Sequence, residues 1–268
     1  MKPAPRIVVF DSGVGGLTVL QEIRALLPHC SYVYVSDNFA VPYGTKPDAE
    51  VSRRVESVIR AVVHEHLPDV LVIACNTVST LTLDVLRSLY PFPIVGVVPA
   101  IKPAAAMSKS KVIGLLATPP TIIRPYTGKL ISEFAADCRV IRVGSTILVE
   151  IAEALLRGQD VDLAQLHREI EPIFNDPTLD VVVLGCTHFP LLRRSFVEAQ
   201  PRPIAWIDSG AAIAQRVRTV MQGDHLASVG ETPKSAVALF TKDDSGMKTL
   251  QHNLSLQFNI NEVRILKV

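Results

Sequence analysis

The chain has 268 residues, of which 48% are hydrophobic and 20% charged, so it is long and apolar enough to bury one large core or two smaller ones and is not a disordered segment. Its formal net charge is +1, which argues against nucleic acid or an anionic membrane as a partner. Four cysteines are too few to staple a secreted chain of this length, and we expect reduced thiols in the cytoplasm.

The amino terminus and the apolar runs contain no recognisable targeting signal or membrane span. Residues 1–6 lead directly into an apolar run without a small-residue cleavage site, so we expect neither a secretory leader nor a regulatory extension before the first strand. Runs such as 70–75 and 181–184 are much shorter than the roughly 18 residues that a bilayer span requires. They are typical of buried strands in a parallel sheet.

Short β-branched runs alternate with segments of helical spacing along the chain. The predicted strands are 7–10, 32–35, 70–74, 94–98, 112–116, 140–143, 181–184, 204–207 and 237–240. Helices are predicted over 51–67, 121–134, 147–156, 163–174 and 211–221, and the first of these carries valines and isoleucines on one side and charged residues mostly on the other. This alternation predicts an α/β protein with two doubly wound, mostly parallel sheets.

One segment of the chain is repeated. Residues 69–77 and 180–188 each contain an aspartate, a buried strand, a cysteine six residues after the aspartate, and small polar residues, with Cys75 and Cys186 lying 111 positions apart. Ligands bind beyond the carboxyl ends of parallel strands, so both cysteines fall where chemistry is expected. Chance similarity of two apolar strands explains the shared aspartate and cysteine less well than duplication does.

A second, weaker similarity relates 11–13 to 208–210, both Asp-Ser-Gly. These residue types are common in turns and helix caps, so this repeat alone establishes little. We expect the chain to cross into a second domain near 97–99 and to return near 207–210. The predicted domains are therefore 1–97 with 210–268, and 98–209.

Two loops are candidates for binding an anionic substrate. The glycine-rich turn 11–16 lacks the third glycine of a dinucleotide fingerprint and the Gly-Lys-Ser/Thr of a phosphate-binding loop, but it offers amide groups at a helix start and a hydroxyl. In loop 37–47, the Tyr43 phenol and the Gly44 amide could clamp a carboxylate. A purely structural turn, and a tyrosine that only packs, are the alternatives.

The cysteines divide into two kinds. Cys30 and Cys138 are interpreted as small core residues, whereas Cys75 and Cys186 each follow a strand and precede hydrogen-bonding side chains. A thiol with an ordinary pKa of roughly 8.5 can accept or donate a proton near neutrality once its neighbours tune it. Two such thiols on opposite faces of one carbon could invert its configuration.

Three other uses of these cysteines remain open, besides a merely structural one. Cys75, Cys186 and His188 supply three zinc ligands only if the fold gathers them, and no close cysteine pair accompanies them. His188 could also serve as the base for a nucleophilic Cys186. A redox disulfide lacks the usual C-x-x-C spacing.

Four motifs, in this order, identify a family. Phe10-Asp-Ser-Gly-Val-Gly-Gly16, Val41-Pro-Tyr-Gly44, Ala74-Cys-Asn-Thr77 and Gly185-Cys-Thr-His188 together resemble those of the glutamate racemases, members of the cofactor-independent aspartate/glutamate racemase superfamily. The resemblance extends from residue 7 to about 221, with Val78 where alanine is frequent, and the last forty or so residues match poorly. It implies a pseudosymmetric two-domain enzyme with no cofactor and no metal, whose active site lies in the cleft between the domains. It also implies that the enzyme supplies D-glutamate for peptidoglycan synthesis.

The resemblance also implies roles for individual residues. Cys75 would remove the Cα proton of D-glutamate with the help of Asp11, and Cys186 would act on L-glutamate beside His188. The assisting glutamate of the family corresponds to Glu150, with Glu153 as the alternative. The positions implied to bind substrate are Asp11, Ser12, Tyr43, Gly44, Asn76, Thr77, Thr118, Thr121, Thr187 and His188.

The resemblance leaves several questions open. It raises a homodimer and regulation by a cell-wall precursor as further partners. Motifs shared across the superfamily do not separate glutamate from aspartate or another small acid as the substrate. A non-enzymatic amino-acid binder of α/β class is the alternative from a different class of function.

Overall fold

The computed structural model describes residues 4–221 and 236–268, which fold as an α/β protein with two parallel sheets. The strands are β1 (Arg6–Asp11), β2 (Ser31–Ser36), β3 (Val70–Ile73), β4 (Ile94–Gly96), β5 (Val112–Ala117), β6 (Arg139–Gly144), β7 (Val181–Leu184), β8 (Ala205–Ile207), β9 (Ala236–Phe240) and β10 (Ile260–Ile265). The helices are α1 (Leu17–Leu26), α2 (Asp48–His66), α3 (Asn76–Leu89), α4 (Ile101–Met107), α5 (Pro119–Ile123), α6 (Pro125–Phe134), α7 (Ile147–Leu156), α8 (Leu163–Ile170), α9 (Arg193–Ala199), α10 (Gly210–Val220) and α11 (Met247–Phe258).

The two sheets repeat one strand order. In the first sheet the order is β10-β9-β2-β1-β3-β4, and in the second it is β6-β5-β7-β8. The first four strands of the chain and the next four therefore have the same arrangement, in which β3 and β7 occupy equivalent inner positions. All strand pairs are parallel, as predicted from the alternating pattern. This repetition agrees with the duplicated sequence around the two cysteines.

Helices cover both faces of each sheet because successive strand residues point to opposite faces. Along β1, Ile7 and Val9 pack into the cluster formed with α1, α10 and α11, whereas Val8 and Phe10 pack with α2 and α3. The residues of β5 divide in the same way between two further apolar clusters. In the predicted helix 51–67, observed as α2, the apolar stripe faces the sheet and the arginines and glutamates face outwards or lie half-buried.

Several predicted boundaries need correction. The single helix predicted over 121–134 is two helices, α5 and α6, because Pro125 lacks the amide hydrogen that a continuous helix would need there and starts α6 instead. The helix predicted over 163–174 is α8 followed by a 3-10 turn, Glu171–Phe174. The periodicity of the sequence did not predict α11 and β10, which extend the first sheet beyond β9.

The chain leaves the first sheet after β4 and returns to it after β8 through α10, which packs on α1. The division into domains 1–97 with 210–268, and 98–209, stays a prediction. Of the predicted first domain, residues 1–3 and 222–235 lie outside the described residues. Among the helices of residues 4–221 and 236–268, none has both the length and the apolar character needed to cross a membrane.

Candidate active site

The two cysteines singled out by the repeat end equivalent strands and reach the same cavity. Cys75 caps the start of α3 two residues after β3, and Cys186 stands two residues after β7. Both are buried, with 6% and 8% of their surface exposed. Strand ends of the two sheets therefore face each other, since Thr187 of the second sheet donates a hydrogen bond of 2.9 Å to Asp11 at the end of β1.

The cavity between the strand ends is narrow. Its volume of about 20 Å³ is little more than the roughly 10–15 Å³ that a single water molecule needs. In this structure the cavity is therefore too small to hold an amino acid. The cavity is lined by Ser12, Pro42, Tyr43, Gly44, Cys75, Asn76, Thr77, Thr118, Val149, Gly185, Cys186, Thr187 and His188.

The surroundings of Cys75 keep its proton in place. The Ser12 hydroxyl lies 3.8 Å from Cys75 Sγ and 3.4 Å from Asp11 Oδ1, to which the Gly13 amide also donates at 2.9 Å. Burial, followed by the negative charge of Asp11, raises the pKa of the Cys75 thiol to about 12. Burial also raises the pKa of Asp11, although His188, Gly13 and Thr187 oppose this. Near neutral pH, Cys75 is therefore a thiol.

The surroundings of Cys186 are charged. The His188 Nδ1 atom lies 3.8 Å from Cys186 Sγ, and His188 Nε2 lies 2.7 Å from Glu153 Oε1. Burial lowers the pKa of His188, but hydrogen bonding and charge from Cys186 and Glu153 more than offset it and hold that pKa well above its usual value. Burial raises the pKa of Glu153, yet His188, Arg157 and the Val14 amide together hold it below the usual range. The pair is therefore an imidazolium and a carboxylate.

The structure places Glu153 beside the cavity, and not Glu150. Glu153 Oε1 accepts hydrogen bonds of 2.7 Å from the Val14 amide and from His188, whereas Glu150 is exposed on another side of α7. The sequence carried a partial signal for this. Glu153 lies four residues after the buried Val149 and three before the buried Leu156, so it continues the apolar stripe of the helix.

The residues predicted to hold the substrate occupy different places. Asn76 and Thr77 are buried at the start of α3 and line the cavity, and Asn76 Oδ1 is without a hydrogen-bond partner among the described residues. Thr118 lines the cavity, while Thr121 stands behind it with the two hydroxyl oxygens 3.0 Å apart. A buried, unpaired amide oxygen is suited to accept a hydrogen bond from a substrate ammonium group.

Tyr43 also lines the cavity, but its hydroxyl is already engaged. It donates a hydrogen bond of 2.6 Å to Asp37 Oδ2, and burial beside Asp37 raises the pKa of the phenol. Asp37 is itself held by a bidentate contact from Arg54 and by Thr241. The sequence did not identify Asp37, Arg54 and Thr241 as a support of this loop, because they are distant in the chain. The phenol proton is therefore not available to a carboxylate, although the sequence had suggested that Tyr43 could clamp one.

The glycine-rich turn allows the two halves to approach closely. A Cβ atom on Gly13 would stand 2.0 Å from Glu153 Oε1, and one on Gly15 would stand 2.5 Å from His188 Nδ1. The Tyr34 hydroxyl donates to the Gly13 carbonyl at 2.5 Å and fixes the turn from below. Glycine is required here because the charged pair of the second half packs directly against the backbone.

The predictions about Cys30, Cys138 and the other possible uses of the cysteines can be compared with the structure one by one. Cys30 is buried in the core as predicted, whereas Cys138 is half-exposed, because it follows α6 at the surface beside Asp137. His188 Nδ1 lies 3.8 Å from Cys186 Sγ, so the two side chains are near each other, but an imidazolium is not a base for that thiol. Within residues 4–221 and 236–268, no three histidine, cysteine or acidic side chains are grouped as metal ligands.

Several known proteins are similar to this chain in sequence and in fold. The sequence profile of the Asp/Glu/hydantoin racemase family matches residues 17–217. The glutamate racemase of Salmonella typhimurium is 49% identical over 222 residues, 82% of this chain and 78% of the relative. That of Pectobacterium carotovorum is 50% identical over 213 residues, 79% and 75% of the two chains. The crystal structure of Escherichia coli glutamate racemase with L-glutamate and the activator UDP-MurNAc-ala has a TM-score of 0.92 at 42% identity and covers 99% of both chains. The chain therefore belongs to the Asp/Glu/hydantoin racemase family.

Proposed function

We propose that this protein is an amino-acid racemase that interconverts L- and D-glutamate without a cofactor, with Cys75 and Cys186 as its two acid–base groups. The observation that carries the proposal is the placement of two thiols at equivalent strand ends around one narrow cavity. Similarity to the glutamate racemases of Salmonella typhimurium, Pectobacterium carotovorum and Escherichia coli supports glutamate as the substrate.

The proposed reaction moves one proton at each face of Cα. In the L to D direction, the Cys186 thiolate removes the Cα proton, and the electron pair of the broken C–H bond delocalises into the α-carboxylate. The Cys75 thiol then gives its proton to the opposite face, which leaves a Cys75 thiolate and a Cys186 thiol. The raised pKa of Cys75 keeps this donor protonated beforehand. The D to L direction runs through the same states in reverse.

The neighbours of each thiol have distinct proposed roles. His188, which Glu153 holds through Nε2, lies 3.8 Å from Cys186 Sγ, where its positive charge faces the sulfur that exchanges the proton. Asp11 assists Cys75 through the Ser12 hydroxyl that lies between them. Glu153 takes the role that the sequence had assigned to Glu150, because only Glu153 reaches the imidazole.

The remaining polar groups hold the substrate. We assign the ammonium group to Asn76 Oδ1, and the carboxylates to the hydroxyls of Thr77 and Thr118 and the amides of Ser12, Gly44 and Thr187. Donors aimed at the α-carboxylate offset the low acidity of the Cα proton, because negative charge develops there in the transition state. Local hydroxyls and amides suffice for a dicarboxylate, so the near-neutral net charge is no obstacle.

The cellular setting and organisation belong to the same proposal. We infer a role in supplying D-glutamate for peptidoglycan in the cytoplasm, and a homodimer. We also infer regulation by a cell-wall precursor, since the Escherichia coli enzyme has the activator UDP-MurNAc-ala. We also retain 1–97 with 210–268, and 98–209, as the two domains that open and close the cleft. The two sheets and the positions of the chain crossings support this division.

The test follows the optical rotation and the Cα proton of glutamate. Purified protein without added cofactor should interconvert the enantiomers, monitored by circular dichroism, and should incorporate deuterium at Cα in D₂O. Cys75→Ser and Cys186→Ser should each lose racemisation, whereas the matched control Cys138→Ser, at the surface, should not. Activity retained in both variants would reject the two-thiol mechanism.

Two further outcomes identify the alternatives. Faster Cα exchange of aspartate than of glutamate would assign the enzyme to a different acid. Thermal stabilisation by glutamate without any deuterium uptake would indicate a binding protein instead of a racemase.

A further inference from the structure

Arg157, which the proposed mechanism does not use, ends α7 and is buried against Glu153. Its guanidinium contacts Glu153 Oε2 and donates to the Glu153 carbonyl at 3.3 Å, and its side chain is only 10% exposed. Because Glu153 Oε1 already binds the Val14 amide and His188, Arg157 occupies the second carboxylate oxygen. The orientation of the carboxylate is therefore set from both sides.

The other side of Arg157 faces the C-terminal part of the chain. Asp244, in the loop between β9 and α11, lies 3.7 Å from the Arg157 guanidinium and accepts a hydrogen bond from the Gly246 amide at 3.0 Å. The end of α7 is held to α11 by the Asn253 amide group, which donates to the Leu156 carbonyl at 2.8 Å. The C-terminal segment thus determines where Arg157 lies.

We propose that Arg157 is a positioning residue for proton transfer at Cys186, aligned by Asp244 and acting through Glu153 and His188. This inference rests on the two-thiol function proposed above. The chain of contacts runs from Asp244 to Arg157, Glu153, His188 and Cys186, whereas Cys75 contacts Ser12. The C-terminal segment, which matched the family pattern poorly, thereby contributes to one half of the reaction.

The one-sided placement predicts a one-sided kinetic effect. Enantiomers have equal free energy in water, so kcat/KM must remain equal in the two directions for any variant. The asymmetry therefore appears in the isotope effect. Deuterium at Cα of L-glutamate is removed by Cys186, and deuterium at Cα of D-glutamate is removed by Cys75. When transfer at Cys186 becomes the slower step, the isotope effect grows for labelled L-glutamate and shrinks for labelled D-glutamate.

The experiment compares Arg157→Met, Arg157→Lys and Asp244→Asn with two matched controls. The controls are Arg168→Met on the exposed face of α8 and Asp243→Asn, the exposed neighbour of Asp244. Arg157→Met should lower kcat/KM on the order of tenfold, with the isotope effects moving apart as described. Arg157→Lys should restore part of kcat/KM and part of the agreement between the two isotope effects. Asp244→Asn should lower kcat/KM and separate the isotope effects in the same direction by a smaller amount. Both controls should match the unmodified protein.

Each outcome separates the positioning role from the proposed function. Isotope effects that remain symmetric in Arg157→Met and Asp244→Asn, while activity falls in proportion to thermal stability, overturn the positioning role alone. Absence of Cα exchange in the unmodified protein overturns the two-thiol function and this inference with it. Divergence of the two isotope effects in folded Asp244→Asn supports the proposal even where Arg157→Met fails to fold.

Discussion

Replacing Glu153 with glutamine tests the charged pair beside Cys186 with little change of shape. The carboxamide that replaces the carboxylate could still accept from the Val14 amide, but it would carry no charge to hold the His188 imidazolium or the Arg157 guanidinium. Glu153, together with Cys186, raises the pKa of His188, so the loss of the Glu153 charge lowers that pKa and weakens the hold on the imidazolium. The positive charge that lies 3.8 Å from Cys186 Sγ is then less firmly held.

Two magnitudes follow for Glu153→Gln. The loss of charge-assisted hydrogen bonds should cost about 1.5–3 kcal/mol of the free energy of unfolding, because the carboxylate is buried between its partners. Racemisation should fall on the order of 10²-fold, the lower range for loss of acid–base assistance. Urea unfolding and the circular dichroism assay measure the two effects independently.

Glu150→Gln is the matched control for Glu153→Gln. Glu150 lies one turn earlier on the same helix and is exposed, so its substitution should change the free energy of unfolding by less than about 0.5 kcal/mol and leave the rate unchanged. The reasoning is refuted if the two variants behave alike, or if Glu150→Gln is the more damaging one. A loss of stability without a loss of rate in Glu153→Gln would assign Glu153 a purely structural role.

Three further predictions concern the turn, the first thiol and the cleft. Gly15→Ala should abolish activity and lower the melting temperature, since its Cβ would stand 2.5 Å from the His188 Nδ1 atom. In the same thermal scan Gly128→Ala, whose Cβ meets nothing within 4 Å, should be neutral or stabilising. The folded pKa of Cys75, about 12, exceeds the ordinary pKa of a free thiol, roughly 8.5, so the contribution of Cys75 to stability is complete below about pH 8.5 and is lost as pH rises towards 12. The free energy of unfolding of Cys75→Ala should therefore fall less over that window than that of the unmodified protein, and an equal fall contradicts the assignment. The bidentate ion pair of Asp48 with Arg124, at 2.8 and 3.1 Å, joins α2 to the α5–α6 connection. Asp48→Asn breaks this pair and should raise KM for glutamate more than it lowers kcat. An unchanged KM counts against a role of the pair in cleft closure.

The parts that the sequence predicted depend on local patterns. The β-branched runs, their alternation with amphipathic helices and the repeat around Cys75 and Cys186 all follow from residues close together in the chain, and the strand orders of both sheets agree with them. Placement at strand ends is a local property too, since parallel strands present their carboxyl ends at one edge. That the two cysteines share one cavity was implied only by the family resemblance, because β3 and β7 belong to different sheets and a strand pattern does not say that the two sheets face each other.

The parts that the sequence missed depend on contacts between distant segments. Arg54 and Thr241 support Asp37 from positions 17 and 204 residues away, and no spacing rule links them. Among the described residues, β10 pairs with β9 at the edge of the sheet and is half polar, so it lacks the continuous apolar run that identified the inner strands. Edge strands and buried ion pairs are set by tertiary packing and leave a weaker local pattern.

The choice between Glu150 and Glu153 shows where a local pattern was informative but was not sufficient. The two carboxylates are three residues apart on one helix, so both satisfy a motif that asks only for a glutamate in that segment. Only Glu153 lies on the stripe of Val149 and Leu156, and an acidic residue on a buried stripe must find a partner of opposite charge because isolated buried charges are costly. That partner is His188, which the repeat had already placed beside Cys186. In the sequence, Glu150 also has apolar residues three before and four after it, Ile147 and Ala154, so it is the burial seen in the structure that selects Glu153.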